Sequence, residues 1–260
     1  MVLVMPGEVF FQALRSMIRE WLKSIGLGVI CIAGLLGWHA AGVPLSVRQA
    51  VALFSGESLP LSGWPEWLNA AGFNILFPLA LCLPAILVGS QLMAGQEERG
   101  TIALVLAFPI PRWRIVIEKA LGLTAGVLLV STGLRLGLIL PSLLWPEFAL
   151  PAQELFDASF QLSLPATLFG SLALAIGSAT GQLASARWMS LAAFAFWSGL
   201  VALSRLVRGF DFLSPLTDFF KIHFPLPNPL LDSLILVCVG LLAIVWYAAA
   251  MSFAKRDLND

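Results

Sequence analysis

Charge is what this chain has least of. Charged residues make up 12% and hydrophobic ones 59% of 260 positions, against about 25% charged in a soluble domain, so the bulk solvent the sequence anticipates is lipid. Cysteine is scarce as well: Cys31, Cys82 and Cys238 are far apart, each lies in an apolar run, and no CxxC spacing links them. Neither a disulfide framework nor a metal site follows, and the three read as packing residues. No Gly-Lys dipeptide occurs, because the four lysines follow Leu22, Glu118, Phe220 and Ala254. A P-loop needs Gly-Lys before Ser or Thr to cradle nucleotide phosphates, so ATP hydrolysis by that route is excluded. His39 is the only histidine in an apolar run, IGSATG does not fit the G-x-S-x-G elbow, and HExxH is missing. A nucleophile and base at membrane depth are therefore lacking. No basic patch with interleaved aromatics lies outside the apolar runs, which argues against nucleic acid.

What the sequence does have is long uncharged runs. Thirty uncharged residues separate Glu66 from Glu97, 29 separate Asp157 from Arg187, 17 separate Arg187 from Arg205, and 22 separate Asp232 from Lys255. Each is near or above the roughly 17–25 residues that a membrane helix needs. With a first run from Ser24 to Val43 and a longer one from Pro111, the sequence predicts an all-α, polytopic membrane protein. Its six transmembrane helices lie at about 24–43, 70–95, 111–141, 161–183, 188–205 and 232–252. No extramembrane segment is long enough for a separate domain and no repeat stands out, so residues 1–260 read as one transmembrane domain. Arg135 lies 24 residues beyond Pro111, roughly 36 Å along a helix, which places it at the far interface as a snorkelling arginine.

Ten of the fifteen Lys and Arg residues fall in alternate flanks containing Arg15, Arg99, Arg112, Arg187 and Lys255. The positive-inside rule then puts both termini and the 95–119 loop in the cytoplasm. No small-residue cleavage site ends the first run, so it is expected to remain as a span. Ahead of it, residues 8–23 place Phe10, Leu14, Met17, Ile18 and Trp21 on one helical face, with Arg15, Arg19 and Lys23 on the other. That pattern suits an N-terminal amphipathic helix lying in the membrane interface. Trp64, Trp67 and Trp145 read as an outer aromatic belt, and Pro78 and Pro84 should bend the second span. The small-residue pairs Gly122/Gly126 and Gly177/Gly181 suit close helix packing within the bundle. The external segment from Arg205 to Leu231 reads as short interfacial helices and turns.

Between the second and third spans stands GQEERGTIALVLAFPIPRWRIVIEK, residues 95–119. Gly100 can end one helix and Thr101 can cap the next. Ile102 to Ala107 can form under two turns before Pro109 and Pro111 stop that helix and start another. Ile102, Leu104, Val105, Leu106 and Phe108 leave this short helix no polar face. It cannot cross a bilayer, and in water it would expose an apolar patch of the kind that marks an interaction surface. The alternative is a hairpin resting on lipid; the flanking charges suit a protein groove better.

These residues resemble the membrane subunits of ABC transporters of the ABC-2 type. Glu98-Arg99-Gly100-Thr101, the apolar run, Pro109-Ile110-Pro111-Arg112-Trp113 and Lys119 are similar to that family's pattern, as are Leu213-Ser214-Pro215 and the ending Phe253-Ala-Lys-Arg-Asp-Leu258. The sequence departs from the pattern at Ala103, Pro111 and Glu118. The resemblance implies that the loop is a coupling helix seated in a cleft of a separate nucleotide-binding ATPase subunit. Its contacts would come from Glu97, Glu98, Arg99, Gly100, Thr101, Ile102, Leu104, Val105, Leu106, Phe108, Pro109, Pro111 and Arg112. It further implies a permease half, paired with an identical or homologous second permease subunit in the plasma (bacterial inner) membrane, that works more often in export than in import. ATP and Mg would bind to the partner subunit, with no cofactor and no enzymatic site in this chain. A reading from another class is a membrane anchor or assembly factor, moved by an ATPase without passing a solute.

Overall fold

The computed structural model of the chain describes residues 22, 26, 28–30, 32–38, 42, 44–55, 63–102, 110–145, 152–206 and 231–256. The interfacial helix expected before Lys23, Cys31, His39, the run 103–109 and the external segment 207–230 lie outside the described residues. Among the described residues every regular element is helical. A short apolar helix, Gly28–Trp38, precedes α1 (Leu45–Ser55), α2 (Trp64–Trp67) and a π-helical segment (Leu68–Leu76). That segment continues into α3 (Phe77–Leu92), followed by α4 (Ala94–Glu98), α5 (Arg112–Leu144), α6 (Ala152–Thr180), α7 (Leu183–Leu206) and α8 (Leu231–Lys255).

Among the described residues, four helical stretches are both long and apolar enough to cross a membrane: Leu68–Leu92, Arg112–Leu144, Leu155–Thr180 and Ile235–Lys255. The other two expected spans are not among these four. α7 has 24 residues, enough by length. The first is described only as Gly28–Trp38. Helix ends also differ from the expected ones. α5 runs on through Pro141 to Leu144, and α6 begins at Ala152, well ahead of the expected span.

The core centres on α3 and α6, with α5, α7 and α8 packed around α6. A Cβ on Gly89 would collide with the backbone carbonyl of Gly170, and one on Gly170 would press on Ala85, so α3 and α6 cross with backbones in near contact, as small residues permit in membranes. Gly177 of the expected small-residue pair likewise faces Ala94 and Ala186 within the chain. Polar side chains tie α6 to α8: Trp246 Nε1 donates to Ser171 Oγ (3.0 Å), and Ser178 Oγ to the carbonyl of Ala249 (3.3 Å). Phe169 and Phe194 stack edge to face between α6 and α7, with centroids 5.3 Å apart.

The second span is altered by its prolines in a way the sequence only half announces. Pro78 takes the second position of α3, where a missing N–H is tolerated. Immediately upstream nine residues are π-helical, and Phe77 N–H reaches back to the carbonyl of Gly72. Trp64 and Trp67, expected in a lipid-facing belt, are buried instead: the edge of Trp38 packs on Trp67 with centroids 6.1 Å apart. Trp145 is exposed, as a belt residue should be. The Arg135 guanidinium lies 4.9 Å over the Phe156 ring near the start of α6, a cation–π contact that engages this arginine at that end of the bundle. Of the cysteines, Cys82 and Cys238 are buried and unbridged.

Candidate functional site

At the opposite end of the bundle, the ends of α3, α4, α5, α6, α7 and α8 converge, and the base of the 95–119 loop is fastened among them. α3 stops at Leu92, and the chain turns at Met93 into α4. The free carbonyl left there is taken by Lys119 of α5, whose Nζ donates to Leu92 O (2.7 Å), Met93 Sδ (3.4 Å) and Gln96 Oε1 (2.7 Å). An ammonium has three donors, and all three are used. Lys119 is only 1% exposed. It thus places a cationic side chain at a helix C-terminus, where the dipole favours it.

α4 ends in a Schellman turn. Gly100 adopts φ 69°, its N–H donates to Glu97 O (2.8 Å), and the Thr101 N–H donates to Gln96 O (2.9 Å), the paired bonds that close this motif around a left-handed glycine. The Thr101 hydroxyl also donates to Gln96 O (3.0 Å). Gly100 therefore ends a helix as expected, and the Thr101 hydroxyl adds a bond to the same helix end; the helix it was expected to cap lies, beyond Ile102, outside the described residues.

All three carboxylates of residues 95–119 are engaged within the chain. Glu97 forms a two-pronged ion pair with Arg256, NH2 to Oε1 and NH1 to Oε2, the latter at 3.1 Å. Arg256 NH1 also donates to Ser178 O (3.4 Å), and Arg112 NH1 donates to Arg256 O (2.8 Å). Glu98 Oε1 accepts the Leu183 N–H (2.7 Å) and so caps the start of α7. Arg114 pairs with Glu118 one turn away at 2.8 Å.

The structure thus brings together Glu97, Glu98, Gly100, Thr101 and Arg112 of the expected site. Arg99, Gly100, Thr101 and Pro111 are exposed, while Ile102 is buried in the chain's own core. Leu104, Val105, Leu106, Phe108 and Pro109 lie outside the described residues. Sequence reasoning left three participants out of the site: Lys119, Gln96 and Arg256. Lys119 carried a signal, being a lysine two turns inside an apolar helix. Arg256 carried none, because its partner stands 159 positions away.

Long apolar helices that alternate in direction, joined at one end through a loop whose base is held by polar bonds, define an integral, polytopic membrane protein. A family model for ABC-2 family transporter proteins matches residues 11–258, nearly the whole chain. The chain belongs to that family: it is a membrane permease component of the ABC type, of the kind that works with an ATPase subunit rather than being the ATPase. No curated protein matches it significantly.

Proposed function

We propose that this chain forms one half of the translocation pathway of an ATP-driven exporter, with six spans and the loop at residues 95–119 docked in a groove of a separate ATPase subunit. A second permease subunit, identical or homologous, completes the path. Both termini and the loop face the cytoplasm of a plasma (bacterial inner) membrane, and ATP and Mg bind to the partner. The observation that carries this reading is the division of labour along the loop. Glu97, Glu98 and Lys119 spend their charges on neighbouring helices of the same chain. Ile102 is taken up by the chain's own core, and the apolar residues that follow it are Leu104, Val105, Leu106 and Phe108. A firmly held base with an apolar tip suits a lever that is pushed from outside. Nucleotide would bias inward and outward states through differential contact with that tip.

Replacing Leu104 and Leu106 together by Asp tests the docking. In a protein groove the change buries charge without partners, at a cost of several kcal/mol, and co-purification of the ATPase is lost while membrane insertion persists. Recovery of the complex at wild-type yield would remove the coupling-helix assignment. Arg99→Ala is the mild control, since an exposed charge contributes about 0–1 kcal/mol.

A further inference from the structure

We propose that Arg256 is a positioning residue that fastens the end of α8 to the base of the loop, so that displacement of the loop is delivered to the last helix. This rests on the reading of the loop as the ATPase contact. Arg256 follows directly on α8 and touches three other elements. Its guanidinium grips both carboxylate oxygens of Glu97 in α4 and reaches the Ser178 carbonyl in α6. Its own carbonyl accepts from Arg112 at the start of α5. A planar fork meeting a carboxylate in this two-pronged way fixes direction as well as distance.

The surroundings are shaped for this arrangement. Gly181, in the α6–α7 turn, has φ 68°, and a Cβ there would strike the Arg256 guanidinium and the Glu97 carboxylate. Side-chain exposures of 25% for Arg256 and 21% for Glu97 keep water from most of the pair. Lys255, the neighbouring cation, is exposed.

α8 is also the helix with most to gain from such a fastening. Only 17% of its apolar window is buried within the chain, against 56% and 61% for the spans of α3 and α6. Leu236, Val237, Val239, Ile244 and Tyr247 all point outward. What holds it to the bundle is gathered largely near its end: buried Ala249, Ala250 and Phe253, the bonds of Trp246 to Ser171 and of Ser178 to Ala249, and Arg256 on Glu97. An isolated surface ion pair stabilises little. This pair instead joins the least buried of the four long apolar helices to the segment that would be pushed.

The test places single reporter labels at Leu121→Cys on α5 and, separately, at Tyr247→Cys on α8, both exposed positions, with the native cysteines replaced. The full chain is reconstituted in nanodiscs with its ATPase subunit. In the otherwise native chain, trapping with ATP and vanadate shifts the signal of both labels. In Arg256→Ala, Arg256→Lys and Glu97→Gln, the Leu121 label still responds and the Tyr247 response falls at least five-fold. A full Tyr247 response in Arg256→Ala, or a loss there with none in Glu97→Gln, overturns the proposal. If neither label responds in the native chain, the reading of the loop has failed, and the fastening is judged on the chain alone. A spin label at Lys255→Cys is then immobile with Arg256 and Glu97 in place and mobile in Arg256→Ala. Equal mobility in the two overturns it.

Discussion

Lys119 keeps a cationic side chain under an apolar surface by matching each of its donors to an acceptor. Lys119→Met keeps the length of the side chain and removes the bonds, leaving Leu92 O and the Gln96 amide unserved. Each buried polar group so orphaned costs about 1–3 kcal/mol. The elbow between α3 and α4 should then loosen, read as a lower unfolding temperature in detergent and as trypsin cutting several-fold faster at Arg99. Unchanged cleavage would mean that the elbow is held by packing alone. At this scale the sequence was legible wherever a residue acts on its own neighbours. Gly100 is the example, since a glycine after a polar helix end needs no knowledge of the rest of the fold. Glu97 was not legible, because a carboxylate beside a loop looks the same whether it faces a partner protein or an arginine on the last helix.

Among the elements, the crossing of α3 and α6 sets how close the two central helices can lie. Gly89→Ala puts a methyl against the Gly170 carbonyl, and overpacking of this kind costs about 1–3 kcal/mol. Gly240, in α8, has nothing within 4 Å of its added Cβ, so Gly240→Ala should instead gain up to about 0.5–1 kcal/mol from helix propensity. Thermal unfolding of the two variants in one detergent checks the opposite signs; equal shifts would refute the close crossing. The apolar runs overlap the four long apolar helices among the described residues, and α5 and α6 run past the expected span ends. A gap in charge marks where lipid begins, whereas α6 forms its first turns around Glu154 and Asp157 before it becomes apolar. The π-helical turns before Pro78 were invisible for a different reason. Proline shows where a hydrogen-bond ladder must change, and not how the chain re-satisfies it.

For the whole molecule, the arrangement of basic residues makes an orientation testable. Arg112, Lys119 and Arg256 gather at one end of the bundle, and Arg135 lies near Phe156 towards the other. With the positive-inside rule this predicts a cytoplasmic Lys255 and an external Glu154. In intact cells, an impermeant thiol reagent should label a cysteine at position 154 and leave one at position 255 untouched. The reverse pattern would invert the topology. The overall class was legible because lipid imposes its demands through composition, which needs no fold to be read. The joining of six helix ends at one polar cluster needed three-dimensional proximity.

That joining also has a timetable. Glu97 and Arg256 are 159 positions apart, and ribosomes add about 5–20 residues per second. Each new molecule therefore spends roughly 8–30 s with its loop already made and the arginine that will hold it still unsynthesised. Throughout that interval Glu97 lacks this partner, while the bonds of Lys119 to Leu92 and Gln96 can already form, and that of Glu98 to Leu183 soon after. The loop base would therefore close in stages, its nearer contacts first and the Arg256 clasp only once α8 has been made.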